Sequence, residues 1–334
     1  MTIEQIKLLR LKQQYLLTSA SAKAVIQNLC GLQAQFLTHA LHSLSIRSEE
    51  RNIDGLVKTW ALRGTMHLFR EEDLPLFLHE RRTHFLRPID TMETDEFAGA
   101  ERKAYFADLI VDSIANGTNE RESLKQLCRE HGMTGREEES FFNPWGGLIR
   151  ALCESGRICH EVREKKAYRL CPVFTPMQKE PAQLEMTRRY FTHYGPATVK
   201  DAANFIGFKQ VEVRALLSKL PVTATTLGKE IYYHLGPCIP EGKIPRCLFL
   251  AGFDPLMLGY EKTQSLFLPR KFLRGIYTLS GIVRPAILTD GTVTGWWNYK
   301  KRILTITDLG GCDKHAIEET AAARFPDAKQ IILK

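Results

Sequence analysis

The stretch QLEMTRRYFTHYGPATVKDAANFIGFKQVEVRALLSKL, residues 183–220, decides the fold class of this chain. An amphipathic helix stops at a Gly-Pro pair, and Thr198 then caps a second helix that Gly207 ends. A third helix follows, with apolar residues at helical spacing. The run VTATTLGKEIYYHL, residues 222–235, adds two β-branched or aromatic segments around a Gly-Lys turn. Helix, helix, glycine turn, helix and hairpin in this order predict a winged helix-turn-helix.

The same order of elements recurs in residues 101–170. The helical runs are RKAYFADLIVDSIANG, SLKQLCREHG and NPWGGLIRALCESG, and the hairpin is RICHEVREKKAYRL. The opening of the chain fits a more divergent copy, in which Gly31 makes the turn before the helix LQAQFLTHALHSLSI and the strand-like run GTMHLF follows. Three copies at this spacing predict winged helix-turn-helix domains at residues 1–85, 101–170 and 183–236, with a linker at 87–100.

The sequence changes in character at residue 237. Short β-rich runs such as RCLFLAG, RPAILTD, TVTGWWNYKK and RILTITDL are joined by Gly, Asp-Gly and Pro turns, and KHAIEETAAARF is one late helix. Residues 237–334 therefore predict a small barrel or a strongly curved sheet. The predicted fold class is α+β, with three tandem winged helix-turn-helix units and a C-terminal β-barrel-like domain.

Composition limits the class of protein. The 334 residues carry a formal net charge of +8, which fits a polyanionic partner but also fits an ordinary basic protein. The eight cysteines are scattered singly and form no C-x-x-C pair, as expected in a reducing compartment. The N-terminal stretch lacks the pattern of a signal peptide, and no apolar run approaches the roughly 18 residues of a membrane span. We therefore expect a soluble intracellular protein with no membrane partner.

A winged helix normally places its third helix in a DNA groove and its wing on the phosphate backbone. Basic residues recur on these predicted elements: Lys209, Lys219, Lys229, Arg150, Arg163, Lys165 and Lys166. Taken singly, each is as well explained by a solvated surface. The carboxylates among the basic residues of HEVREKKAYRL weaken the interpretation of this stretch as a phosphate-binding surface. Winged helices also bind proteins. The fold therefore leaves the partner open.

Two local stretches stand out, because no P-loop, G-x-G-x-x-G, H-E-x-x-H or G-x-S-x-G motif is present. Gln33 and Gln35 follow the first glycine turn at the predicted start of a helix, where both amides could simply face water. Arg63, Thr65 and His67 alternate with apolar residues and glycine, so a strand would place them on one face. Such a face is a candidate phosphate or sugar site, and a structural role for the histidine is the alternative.

Four motifs resemble one known family. GLQAQ (31–35), WALRGTMHLF (60–69), YGPAT (194–198) and FDPLML (253–258), followed by a turn-rich β region, resemble the bacterial winged-helix DNA glycosylases of the AlkZ type. That family includes enzymes that unhook DNA interstrand crosslinks. The resemblance covers nearly the whole chain and is most specific in the Gln-x-Gln and Leu-Arg-Gly-Thr-x-His-Leu motifs.

The resemblance implies three winged helices and a C-terminal β-barrel around a DNA-sized cleft. It places the catalytic Gln-x-Gln on Gln33 and Gln35, where a related branch of the family carries Gln-x-Asp. We further expect Arg63, Thr65, His67 and Lys209 to bind DNA or support the catalytic amides. The expected partner is double-stranded DNA with alkylated bases or crosslinks. We expect a monomer without metal or cofactor, located in the bacterial cytoplasm and associated with the nucleoid.

Amides suffice for catalysis only if the substrate is prone to lose its base. Alkylation at N7 makes a purine cationic, so its glycosidic bond is weak and the base departs neutral. A glutamine carbonyl can then hold the attacking water, although an amide is a poor general base. Together with the family resemblance, this chemistry predicts a monofunctional DNA glycosylase for N7-alkylated purines. The alternatives are a non-enzymatic winged-helix transcriptional regulator and a protein–protein adaptor.

Overall fold

The structure is a computed structural model that describes residues 1–50, 52–80, 98–143 and 146–334. The chain divides into two compact units. The first combines Met1–Asn52 with Leu184–Lys334, and the second is Ile53–Gln183. The end of the first predicted domain at residue 85 and most of the predicted linker lie outside the described residues. The bounds of the four predicted domains stay predictions.

Helices and strands both contribute to the described residues, which confirms a mixed α+β fold. The α-helices are α1 (Ile3–Gln13), α2 (Ala22–Asn28), α3 (Leu37–Ser45), α4 (Leu74–Phe77), α5 (Ala100–Ala115), α6 (Arg121–Glu130), α7 (Gly135–Phe141), α8 (Gly147–Glu154), α9 (Lys179–His193), α10 (Val199–Ile206), α11 (Gln210–Leu217), α12 (Pro255–Leu258), α13 (Leu273–Ile276) and α14 (Lys314–Arg324). The β-strands are β1 (Leu32–Gln33), β2 (Leu56–Trp60), β3 (Met66–Arg70), β4 (Ile158–His160), β5 (Tyr168–Leu170), β6 (Thr223–Leu227), β7 (Glu230–His234), β8 (Cys247–Phe249), β9 (Ala286–Thr289), β10 (Thr292–Lys300), β11 (Ile303–Asp308) and β12 (Gln330–Leu333). Short 3₁₀ helices occur at Leu62–Gly64, Glu71–Asp73, Lys262–Gln264 and Arg270–Phe272.

The stretch that opened the sequence analysis folds into α9, α10, α11 and the hairpin β6–β7. Thr198 and Asp201 form a reciprocal cap on α10, with each backbone N–H donating to the other side chain at 3.0 Å. Gly207 ends α10 in the left-handed region at φ 89°. The hairpin pairs Thr223 with His234. The elements follow in the predicted order, and their assignment as a winged helix stays an interpretation.

In the second unit, β3, β2, β4 and β5 lie side by side in one sheet. Strand β2 pairs with β4 through Lys58 and His160, so segments from two different predicted domains share this sheet. Helices α5 to α8 supply the core beside it, with Phe106, Phe141 and Leu152 fully buried.

The C-terminal sheet corrects the barrel prediction. Its strand order is β12-β11-β10-β9-β8, so β8 and β12 are two separate edges of an open sheet. The strand β12 runs parallel to β11, and a parallel neighbour requires a crossover. Helix α14 makes that crossover and covers one face, where Trp297, Ile317 and Phe325 pack together. The chain therefore covers its sheet with a helix and does not close the sheet upon itself. Among the described residues, no helix is long and apolar enough to cross a membrane.

Candidate active site

The Gln-x-Gln segment begins at a tight helix end. The N–H of Gly31 donates to the carbonyl of Ile26 at 2.8 Å, and the N–H of Cys30 donates to that of Gln27 at 3.3 Å. This is the Schellman arrangement, with Cys30 at φ 58° in the position that usually holds glycine. The chain therefore leaves α2 in a fixed direction, immediately before the two glutamines.

Gln33 lies in a short strand and Gln35 at a bend, and the prediction that the two glutamines start a helix is wrong. Leu32–Gln33 forms β1, and α3 begins only at Leu37. Leu32 and Ala34 are buried, whereas Gln33 and Gln35 are partly exposed. Burial therefore alternates along residues 32–35, and both glutamines are at the more exposed positions. The Leu-Gln-Ala-Gln pattern already carried that alternation, but the apolar run behind it suggested a helix.

Buried groups of the YGPAT region hold this turn. The Tyr194 hydroxyl donates to the carbonyl of Leu29 at 2.8 Å. The Tyr260 hydroxyl in turn donates to the Tyr194 carbonyl at 3.0 Å. A Cβ added to Gly259 would lie 2.5 Å from the Tyr194 ring, so only glycine leaves room for that ring. The YGPAT motif is recognisable in the sequence, but these contacts join residues that are far apart in the chain.

A buried cation reinforces the same region. Arg10 is 1% exposed, and its Nε donates to the carbonyl of Pro196 at 2.9 Å. Its guanidinium lies 3.6 Å from the Asp201 carboxylate and 3.7 Å from the centre of the Tyr260 ring. A charge so far from water must be compensated, and here a carboxylate and an aromatic face compensate it. No local sequence pattern distinguishes Arg10 from the other basic residues of α1.

The FDPLML motif ties α3 to α12 through a second buried ion pair. Arg47 donates to both carboxylate oxygens of Asp254, at 2.6 and 2.9 Å, and both side chains are fully buried. Asp254 also caps α12 by accepting from the N–H of Leu256 at 2.9 Å. This bidentate pair fixes the C-terminal end of the helix that begins two residues after Gln35.

Arg63, Thr65 and His67 do not form a strand face, so that prediction is wrong. Leu62–Gly64 is a 3₁₀ turn between β2 and β3, in which Arg63 has φ 54°. Only His67 lies within β3, and it is 2% exposed with Nδ1 2.9 Å from the Thr65 carbonyl. The Thr65 hydroxyl donates to the carbonyl of Leu62 at 3.1 Å. The N–H of Ala61 donates to the Thr65 carbonyl and closes a hairpin at this turn. The side chains of Thr65 and His67 thus bond to the backbone of the turn itself.

The predicted site residues fall in both units. Gln33, Gln35 and Lys209 belong to the first unit, and Arg63, Thr65 and His67 belong to the second. Lys209 is exposed immediately before α11, where its backbone N–H donates to the Glu212 carboxylate at 2.7 Å.

Three other basic residues of the predicted third helix and wing of the second copy have carboxylate partners. These pairs are Arg150–Glu154, Arg163–Glu161 and Lys165–Glu120. Their charges are partly neutralised within the protein, which weakens their case as phosphate ligands. Within the described residues, no group of three His, Cys, Asp or Glu side chains is arranged to hold a metal ion.

Comparison with known proteins places the chain in a family. The family model described as DNA glycosylase AlkZ-like matches residues 26–325. A Streptomyces sahachiroi protein named interstrand DNA cross-link repair glycosylase is 24% identical, over 94% of this chain and 93% of that protein. The structure of the Streptomyces sahachiroi DNA glycosylase AlkZ matches with a TM-score of 0.78 at 19% identity, covering 100% of this chain and 99% of the other. The chain therefore belongs to the family of AlkZ-like DNA glycosylases, enzymes that hydrolyse N-glycosyl bonds.

Proposed function

We propose that this chain is a monofunctional DNA glycosylase that removes cationic N7-alkylated purines from double-stranded DNA, with the attacking water held by Gln33 and Gln35. The observation that carries the proposal is the pair of partly exposed glutamines, which alternate with buried residues directly after the Schellman turn. Family membership favours this enzyme over a transcriptional regulator or an adaptor.

The chemistry follows from the charge on the leaving group. An N7-alkylpurine departs as a neutral base, so its loss needs no proton donor. The sugar that remains is oxocarbenium-like and needs a positioned water close to C1′. A glutamine carbonyl accepts one hydrogen bond from that water, and its NH₂ group is anchored by an acceptor. Positioning of this kind lowers the activation barrier, because the water is already held near C1′ and loses little further freedom in the transition state. An unmodified purine would be spared, because its departure requires protonation.

Crosslinked DNA is a further proposed substrate. The Streptomyces relative is named for repair of interstrand crosslinks. A crosslink joined through purine N7 positions carries the same labile cationic bond, so the same two amides would serve it. The two strands of a crosslinked duplex stay joined on a denaturing gel. Their separation after incubation with the enzyme would show that one crosslinked base is released and would support this substrate range. Excision of N7-methylguanine without any unhooking would restrict the enzyme to simple adducts.

The direct test is an excision assay. The protein is incubated with duplex DNA containing one N7-methylguanine, and abasic sites are counted after alkaline cleavage of the strand. The wild-type protein should produce abasic sites, and the double variant Gln33→Ala, Gln35→Ala should not. The exposed glutamine of β12 supplies a matched control, Gln330→Ala, which should excise as the wild type does. Excision by the double variant at the wild-type rate would refute the assignment of the two amides.

A further inference from the structure

An exposed aromatic ring lies directly beside the two glutamines. Phe36, the residue after Gln35, is 44% exposed and precedes the first turn of α3. Single exposed apolar side chains are common on protein surfaces, so the position of this ring next to Gln35 matters more than its exposure. It is not a loose side chain, because its ring centre lies 5.9 Å from that of His39 and 5.8 Å from that of Phe253. We call these three rings the Phe36 platform.

The backbone under the platform is strained and leaves little room. Phe253 has φ 56°, which a bulky residue adopts only when its surroundings impose it. A Cβ added to Gly252 would lie 2.9 Å from the His39 ring. The next residue, Asp254, is fixed by its buried pair with Arg47. The close packing at Gly252 and the buried ion pair of Asp254 keep Phe253 in this strained conformation. In that conformation the Phe253 ring packs against Phe36.

The arrangement has a consequence for substrate recognition, which rests on the proposed function. An aromatic face attracts a cation, and the attraction grows when both groups leave water. An N7-alkylpurine is a flat cation, whereas the undamaged bases of DNA are neutral. We propose that the Phe36 platform is a specificity determinant that stacks on the cationic purine and favours it over neutral bases.

Phe36 has the chemistry for this role, and the two amides beside it do not. Gln33 and Gln35 hydrogen-bond a water or a base edge, but an amide gains little from a positive charge spread over a ring. The ring of Phe36 is 44% exposed, and it has π faces and no hydrogen-bonding group. The two kinds of side chain therefore have different roles. The amides position the water, and the ring stacks on the charged base.

Binding measurements test this inference independently of catalysis. The probe is a duplex with one N7-methylguanine on a 2′-fluorinated sugar, whose fluorine opposes the oxocarbenium-like state and keeps the base attached. The preference is the ratio of Kd for undamaged duplex to Kd for this probe. Phe36→Leu keeps an apolar side chain and removes the π face, and it should lower the preference by roughly 2- to 30-fold, the size expected of a cation–π contact. Phe36→Trp should restore the preference.

Two controls separate this role from a structural one. Tyr105 of α5 is 48% exposed, so Tyr105→Leu removes a comparable ring and should leave the preference unchanged. A duplex with an uncharged abasic-site analogue should bind wild type and Phe36→Leu equally, because it carries no cation. Thermal unfolding of Phe36→Leu should match that of the wild type, since the ring is nearly half exposed.

The outcomes distinguish the two proposals. Preference for the charged probe without excision of ordinary N7-methylguanine would retain this inference and overturn the proposed hydrolysis. Unchanged preference in Phe36→Leu, or no preference in the wild type, would overturn the inference whatever the excision assay shows. An equal loss of binding to the uncharged analogue would also overturn it, because the ring would then act as a general wedge.

Discussion

At the scale of single residues, Gln33 and Gln35 combine two properties that a catalytic amide needs. They are partly exposed, and they follow a turn in which the Leu29 carbonyl accepts a hydrogen bond from the Tyr194 hydroxyl. We expect Gln33→Leu and Gln35→Leu, which nearly keep side-chain size, to slow excision of N7-methylguanine roughly 10²- to 10³-fold, as loss of other preorganised polar groups does. Single-turnover rates measure the loss.

The same two variants should bind DNA almost as the wild type does, because an amide carries no charge to pair with phosphate. Measured dissociation constants within about threefold would agree with this. A large loss of affinity with an unchanged rate for bound DNA would place the two glutamines in binding and remove them from the chemistry.

Arg63 remains a candidate for phosphate contact although its predicted strand face is wrong. It is partly exposed at the tip of the turn between β2 and β3. If its guanidinium neutralises one phosphate, Arg63→Ala should weaken binding and reduce the slope of log K against log salt by about 1. Arg129→Ala is a control of the same charge, because Arg129 is an exposed arginine of α6, outside the predicted third helices and wings. An unchanged slope in Arg63→Ala would assign Arg63 to the structure of the turn.

At the scale of secondary structure, the pair between Arg47 and Asp254 fixes α3 relative to α12. Asp254→Asn would leave the Arg47 guanidinium buried without its counter-charge, and we expect it to cost about 3–5 kcal/mol of unfolding free energy. The amide would still cap α12, so the loss would report the charge. Urea unfolding measures it. The exposed pair between Lys12 and Glu241 is the control, and Glu241→Gln should change stability by less than about 1 kcal/mol.

Combining Arg47→Met with Asp254→Asn should recover much of that stability, because no unpaired charge then remains in the interior. A double variant as unstable as Asp254→Asn would mean that packing around Arg47, and not its charge, carries the effect.

Local signals predicted some elements well. Helices α10 and α11 and the hairpin β6–β7 follow the sequence closely, because Thr198, Gly207 and the Gly-Lys turn are explicit start and stop signals. Each signal acts within a few residues, so no distant contact is needed to read it.

Other elements depended on distant contacts. The turn before Gln33 uses Cys30 at a positive φ, and no residue-type rule picks cysteine for that place. The open C-terminal sheet follows from the parallel pairing of β12 with β11, which joins segments separated by α14. The buried partners Arg10 and Asp254 look like ordinary charged residues until the fold brings their counter-charges close. Such pairings join residues that are distant in the chain, so no periodic sequence pattern predicts them.

At the scale of the whole molecule, three histidines that are buried or partly buried should set the acid limit of stability. Burial lowers the pKa of His42 to about 4, that of His193 to about 4 and that of His160 to about 3, from an ordinary value of 6.5. The unfolded chain therefore takes up protons at a higher pH than the native chain. The contribution of these histidines to stability is complete above about pH 6.5 and is lost as the pH falls from about 6.5 toward 4.

His42 offers a specific test of this pH dependence. Its ring packs against Trp297 at 4.9 Å and Phe325 at 6.1 Å, and its buried Nε2 has no hydrogen-bond partner among the described residues. His42→Phe should keep the ring packing, remove an unsatisfied nitrogen and raise stability at pH 7 by about 1 kcal/mol. It should also flatten the fall in melting temperature between pH 6.5 and 4. An equally steep fall in the variant would assign the acid limit to the other histidines.

The proposed reaction makes a prediction about the product that the whole enzyme releases. An amide cannot form a Schiff base, and residues 31–36 contain no lysine. Water should therefore be the nucleophile, and the product should be an abasic site in an unbroken strand. Borohydride added during a single turnover on intact alkylated DNA should trap no protein–DNA adduct. A trapped adduct that forms at the rate of base loss would contradict the water mechanism. An adduct formed only with DNA that already contains an abasic site would not, because any exposed lysine reacts with that aldehyde.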